Sequence, residues 1–344
     1  MAEILGQLQG FQAAASAWER DILASRVARY DPSLLDSLCT SGVAAWGRLS
    51  CAPIDPELEK RRALPSRATP IAIVRREDLP WLLEATRGTH DPVGERAGIV
   101  HALLAQRGAL FFHEMQRATS FSAADLEEAL WELVASGHAT SDGFASVRIL
   151  TAPHRRLPAT GHPLSAAGRW SLLRDPDEAT AAVDPKATVE KIARQYLRRY
   201  GVVFRDLLGR EPRCPPWREL AQVYRRLEAR GEIRGGRFAQ AFLGEQFALP
   251  EALDALRSVR RQKPGGDERV SICAADPLNL IGILTTTDRI RAIAGTRIAY
   301  RDGIPVAVME GDFLRPLAEA DMEAAAALAG RRVPVAAGFV GRTA

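Results

Sequence analysis

The chain is 344 residues long, 47% apolar and 26% charged, with a formal net charge of +4. That profile excludes a disordered chain, and the length exceeds one ordinary core, so two to four compact units are expected. No run of about 18 apolar residues occurs, and the opening MAEILGQLQG has neither a basic start nor an apolar stretch, which argues against membrane insertion and secretion. Cys39, Cys51, Cys214 and Cys273 are scattered, with no CxxC pair and no His at zinc-ligand spacing. Idle thiols in a reducing cytoplasm are therefore expected, with no metal and no cofactor.

From Glu3 to Gln9 and from Gln12 to Val27 the pattern is helical. Asp31 before PSLLDSLC then reads as an N-cap with Pro32 at the first helical position. AAWGRLS after Gly42 and TPIAIVRR from Thr69 read as two strands of one hairpin, separated by a Pro-rich, charged loop from Ser50 to Ala68. Residues 1–76 are expected to form a first, degenerate winged-helix-like unit.

A second unit, 77–153, opens with a helix at Glu95 to Arg107. Its third helix, Ser122 to Ser136, carries a stripe of Leu126, Leu130, Leu133 and Val134, with Asp125, Glu128, Trp131 and Glu132 on the outer face. A hairpin from His138 to Leu150 with its turn at Asp142 and Gly143 is expected to follow. Residues 154–184 read as a linker in which Trp170 and Leu172 dock on a neighbour.

The third unit, 185–262, has helices at Val189 to Tyr200 and Val202 to Leu208. In WRELAQVYRRLEARG, Leu220, Val223, Tyr224 and Leu227 fall on one apolar face, and Arg218, Gln222, Arg225 and Ala229 on the opposite face with Arg226 on its flank. Gly231 stops the helix, and Glu232 to Leu249 reads as two extended runs around Gly235 and Gly236. A helix, a glycine turn and a basic hairpin are the recognition helix and wing of a winged-helix module. Repetition about ninety residues apart argues for tandem modules, the second acidic on its exposed helix and the third basic.

From Pro185 to Gln240 there are 14 Lys and Arg against six Asp and Glu, so this module's excess of eight outweighs that of the whole chain. Such a patch attracts a polyanion with salt-dependent affinity. The alternative is a set of solvated arginines without a ligand. Candidate phosphate contacts are Arg218, Arg225, Arg226, Arg234 and Arg237, and Gln222 is placed to reach a base edge. Trp217 either stacks on a base or anchors the helix to its core.

After the helix PEALDALRSVR, residues 263–317 turn to strands: VSICAA, LIGILT, and TRIAYR paired with IPVAVM across Asp302 and Gly303. A small β-barrel is expected, then a helix and closing strand in 318–344. The overall fold class is α+β, tandem winged-helix modules followed by a small β-barrel.

RYDPSLLDSLCTSGVAAWGRL, AAGRWSLL, RQYLRRYGVVFRDLL, PWRELAQVYRRLEARGEIRGGRF, GEQFALPEAL, ICAADPLNLIGIL and IAYRDGIPVAVMEG together resemble the C-terminal region of Lhr, the large helicase-related DNA helicases of bacteria. The resemblance implies winged-helix modules and a small barrel similar to AlkZ-type DNA glycosylases, with roles in nucleic-acid binding and homo-oligomerisation. The sequence has no GxxxxGK[ST] loop and no acidic Walker B box, so no ATP hydrolysis is expected of this chain.

AlkZ-type enzymes carry a QxQ motif near the start of the fold, which Gln7 and Gln9 match in spacing. If the family register places Gln9 first, Phe11 occupies the second polar position. Asp276 is the other acidic candidate, with a turn or cap role as its alternative, and Asn279 is expected to cap. The expected function is DNA binding, single-stranded or tailed duplex, by an oligomerising, nucleoid-associated module that works with the helicase core of the same protein. A DNA glycosylase acting on a base such as uracil is the alternative, and a protein-interaction scaffold using the helix around Glu128 and Trp131 is the second.

Overall fold

A computed structural model describes residues 1–50, 67–85, 94–151, 168–174, 184–212, 214–261 and 268–317. Cys51 and the helix and strand expected in 318–344 lie outside the described residues.

The first module runs α1 (Ala2–Leu8), β1 (Ala13–Ala14), a π-helical turn (Trp18–Leu23), α2 (Pro32–Thr40), β2 (Ala44–Gly47) and β3 (Pro70–Arg75). Gly10 at φ +80° turns the chain out of α1, and a short strand and the π turn replace the continuous helix expected after Gln12. Asp31 caps α2 by accepting from the Ser33 backbone N–H at 2.8 Å, with Pro32 at the helix start.

The second module repeats this plan as α4 (Glu95–Arg107), β4 (Leu110–Phe111), α5 (Phe112–Thr119), α6 (Ala123–Ala135), β5 (Ala139–Ser141) and β6 (Arg169–Leu172), with α3 (Leu79–Ala85) preceding it and α7 (Ala145–Thr151) following β5. The third is α8 (Pro185–Tyr200), β7 (Val202–Val203), α9 (Arg205–Leu208), α10 (Trp217–Ala229), β8 (Arg234–Gly236) and β9 (Gln246–Ala248). Each sheet places its last strand between the other two: β1-β3-β2, β4-β6-β5 and β7-β9-β8. Three modules therefore share one winged-helix topology.

Two expectations for the second module are corrected. Its wing does not close within His138 to Leu150: α7 intervenes, and the returning strand is β6, inside the stretch read as linker. Trp131 is not on the outer face but 4% exposed, edge-on to the fully buried Trp170 at 5.7 Å. Trp170 in turn meets Trp46 of β2 edge-on at 6.4 Å, and the Trp46 indole donates to the Gly143 carbonyl at 3.1 Å. These rings join the cores of the first two modules.

The first sheet is buried on both faces. Trp46, Ile71 and Ile73 enter the core shared with the second module, while Ala45, Ala72 and Val74 enter the core of the third. A strand covered on both sides reads as a continuous apolar run rather than an alternating one, which is why IAIV looks degenerate as a wing.

After α11 (Pro250–Arg261), which buries none of its side chains, β10 (Arg269–Cys273), β11 (Arg297–Arg301), β12 (Ile304–Glu310) and β13 (Phe313–Pro316) form an antiparallel meander. Asp302 at φ +48° and Gly303 at φ +79° make the two-residue turn between β11 and β12. The described strands form an open four-stranded sheet, and no closed barrel is seen among the described residues. LIGILT is a series of turns, because Gly282 adopts φ +73° and its α-carbon faces the Arg289 backbone with no room for a side chain. Arg26 to Asp276 and Arg297 to Asp21 tie this sheet to the first module.

Candidate nucleic-acid interface

α10 leaves Pro215 and Pro216 with Trp217 as its first residue and ends at Gly231, whose φ of +77° suits glycine. Leu220, Val223, Tyr224 and Leu227 are all buried, as the spacing predicts. Arg218, Gln222, Arg225, Arg226 and Ala229 are exposed on the other side. Trp217 is half-buried, its ring 6.0 Å from Tyr224 and 6.5 Å from Phe247, so much of its surface serves the core.

The arginines divide by partner. Arg225 makes a two-pronged pair with Glu245 of the wing, Nε to Oε1 at 2.7 Å and Nη2 to Oε2 at 2.6 Å. This pairing raises Arg225 and lowers Glu245 from their ordinary pKa values. Arg234 Nη1 donates to the Gly231 and Ile233 carbonyls at 3.0 and 3.2 Å, satisfying the turn after the helix. Arg218, Arg226 and Arg237 are exposed and have no ion-pair partner among the described residues. Glu228 accepts from the Gly235 N–H at 3.0 Å and fastens the first wing strand to the helix.

The wing loop is internally braced. Gln246, 1% exposed, accepts from the Phe238 and Ala239 N–H groups at 2.8 Å each and donates to the Ala239 carbonyl at 2.9 Å. Phe242 packs on Phe204 with ring centroids 4.4 Å apart. Neither Gln246 nor Glu245 stood out in the sequence, since their partners are other parts of the wing and a helix twenty residues upstream.

The remaining candidates lie elsewhere. Gln7 is exposed, while Gln9 is 3% exposed in a network: its Nε2 donates to Asp78 at 3.0 Å and to Gln195 at 3.1 Å. Gln7 and Gln9 share Gln195 only through the Gln7 backbone carbonyl, which accepts from Gln195 Nε2 at 2.9 Å. Asp276, 1% exposed, receives both Arg26 Nη groups at 2.6 and 2.8 Å and the Leu278 N–H at 2.8 Å, so its oxygens are engaged in an ion pair and a turn. Asn279 donates to the Ala274 and Ile290 carbonyls, holding the loop between β10 and β11.

Beside Gln9 lies a small cleft of about 40 Å³ with a mixed lining, apolar side chains such as Leu49, Trp81 and Ile192 facing Gln195, Arg199 and Glu211. That is room for water and not for a nucleobase. Arg199 Nη1 donates to Glu211 at 2.6 Å and Nη2 to the Gln9 carbonyl at 2.6 Å, and the Tyr200 hydroxyl also donates to Glu211. Burial works most strongly on Arg199 and disfavours its charge, but Glu211 together with Tyr200 and Tyr196 outweighs it and leaves the guanidinium above its ordinary pKa. Sequence reading missed this pair, because nothing in RRYGVVFRDLLGREP distinguishes buried from solvated charges.

Among the described residues no three His, Cys, Asp or Glu side chains gather as metal ligands, and no helix is long and apolar enough to cross a membrane.

The topology and the placement of α10 define a tandem winged-helix protein. Residues 1–69 and 182–268 each match a winged-helix domain of the large helicase-related proteins. Two stretches of the chain are thus similar to winged-helix domains of that family, Lhr, and similarity to Lhr proteins extends over most of its length. It is 27% identical over 312 residues to "Lhr helicase/ probable uracil glycosylase" of Mycolicibacterium smegmatis and 28% identical over 318 residues to "Lhr helicase/uracil glycosylase" of Escherichia coli K12. Each match covers 82% of this chain but 19% of the relative, so the chain spans about a fifth of the length of these relatives. Streptomyces sahachiroi DNA glycosylase AlkZ aligns over 96% of both chains with a TM-score of 0.47 at 13% identity.

Proposed function

We propose that this chain is a nucleic-acid-binding module of an Lhr-type DNA-repair helicase, corresponding to its C-terminal region, and that α10 with its wing meets the sugar-phosphate strand. One observation carries the reading: Arg218, Arg226 and Arg237 stand exposed, without ion-pair partners among the described residues, on the recognition helix and wing of a winged-helix module. Arg225 and Arg234 then act chiefly as braces of the wing. Contacts of this kind position a duplex or single strand with little sequence readout, and Gln222 is the one polar uncharged side chain on the face.

The test is fluorescence anisotropy of the purified chain with single-stranded and tailed duplex oligonucleotides. Arg218→Glu together with Arg237→Glu is expected to abolish binding at moderate salt. Arg226→Ala is expected to lower the slope of log affinity against log salt by about 0.7 to 0.9. Undiminished binding by the folded double variant removes the proposal. Light scattering with and without DNA tests the accompanying expectation that the module self-associates.

Base excision is the second reading, favoured by the names of the two relatives, although the cleft beside Gln9 has no room for a flipped base. A uracil-containing oligonucleotide incubated with the chain and then treated with alkali decides it. Strand cleavage that disappears in Gln9→Ala supports excision, and an intact strand removes it.

A further inference from the structure

Leu243 is 88% exposed, more than any other large apolar side chain among the described residues. Scattered surface leucines are ordinary, so exposure alone argues nothing. What sets this one apart is how firmly the loop beneath it is built. The chain from Arg237 to Glu245 is fastened by the Gln246 side chain, whose amide bonds span Phe238 to Ala239, and by Phe242, seated on Phe204. Its far end is tied by Glu245 to Arg225, in the middle of the exposed face of α10. Leu243 is thus held out into water beside the same cationic face that carries Arg218 and Arg226.

The surroundings select the partner. A protein interface calls for an apolar patch of some hundreds of Å², whereas the exposed apolar side chains of this loop are Leu243 and the small Ala241, with Phe242 turned onto Phe204. A single long aliphatic side chain on a braced tip tied to α10 suits the space between two base planes, where apolar wedges unstack a step and bend or open the helix. We infer that Leu243 is a base-stack wedge: when α10 engages the phosphates, the wing tip inserts Leu243 at the end of a duplex, where the last pair has only one stacking neighbour and is cheapest to open. The inference deepens the DNA-binding reading and rests on it.

The experiment uses the full chain and a tailed duplex with 2-aminopurine in the terminal base pair, following anisotropy and 2-aminopurine emission in the same titration. Binding is expected to raise the emission severalfold as the reporter base unstacks. Leu243→Ala is expected to lose that rise and to bind the tailed duplex about tenfold more weakly, ~1.4 kcal/mol, while its affinity for an unpaired strand stays within twofold of the parent. Leu243→Met, which keeps an apolar wedge of similar length, is expected to restore the rise. Because the side chain is so exposed, neither substitution disturbs the core. Binding with no change in emission, or an equal rise in Leu243→Ala, overturns the wedge and leaves the phosphate-binding reading standing. Failure of the parent chain to bind either DNA overturns both.

Discussion

Glu211→Gln is the most informative single change for how the first and third modules hold together. Glu211 and Arg199 have side chains only 4% and 2% exposed, and they meet at 2.6 Å. Arg199 also reaches the Gln9 carbonyl of the first module at 2.6 Å, so this pair sits where the two modules join. The amide keeps the volume and one acceptor for Arg199 and Tyr200, and only the charge is lost. Removing one partner of a buried pair leaves the other charge uncompensated, at a cost of about 3 to 5 kcal/mol, a large part of the ~5 to 15 kcal/mol that holds a typical domain folded. Urea unfolding followed by circular dichroism measures it. The double change Arg199→Met with Glu211→Leu removes both charges and gives up the bond to Gln9, so it is expected to cost only about 1 kcal/mol. A loss below about 1 kcal/mol for Glu211→Gln would refute the reasoning, since it would mean that water already screens the pair.

Three further outcomes follow from the packing. Burial pushes the Cys39 thiol up to about 12, so it is expected to resist thiol reagents in the native chain at about pH 8 and to react only on unfolding. The same shift favours the protonated thiol in the fold, so its contribution to stability is complete below the unfolded value of about 8.5 and is lost as pH rises toward about 12; alkaline urea titrations of the parent and Cys39→Ala measure the difference. Trp170→Ala removes the ring that bridges Trp46 and Trp131, and a loss of about 3 to 5 kcal/mol with collapse of the near-ultraviolet circular dichroism is expected.

The third module was the most legible because it is wetted along one side. α10 alternates buried and exposed residues at the helical period, so its stripe, its cap at Gly231 and its basic face could all be read. The second module resisted because its wing closes through β6, with α7 and a further stretch of chain between the paired strands. Trp131 misled for a related reason. α6 is covered on more than one side, burying Ala129 and Trp131 beside the predicted stripe, so no clean outer face exists to be recognised from periodicity. In the first module both faces of β2 and β3 are buried, which erases the period-two signal. At the candidate interface the arginines were visible, but their division into braces and free cations was not, because it depends on Glu245 and on backbone carbonyls brought close only by the wing.

Three copies of one topology differ in what their third helices present. α2 faces a knot of charge in which Arg148 of the second module is shared between Glu19 and Asp36, so cations near it are already spent on joining modules. α6 exposes Glu128 and has Asp125 paired with Arg96, leaving a surface that repels phosphate. Of these three helices only α10 offers exposed guanidinium groups opposite a face committed to a core. The packing explains the division of labour: a first sheet buried on both faces needs a neighbour on each side, and those neighbours consume the surfaces of the first two modules. The third keeps α10 and its wing in water, where, on the DNA-binding proposal, counterion release would drive association with a nucleic-acid strand.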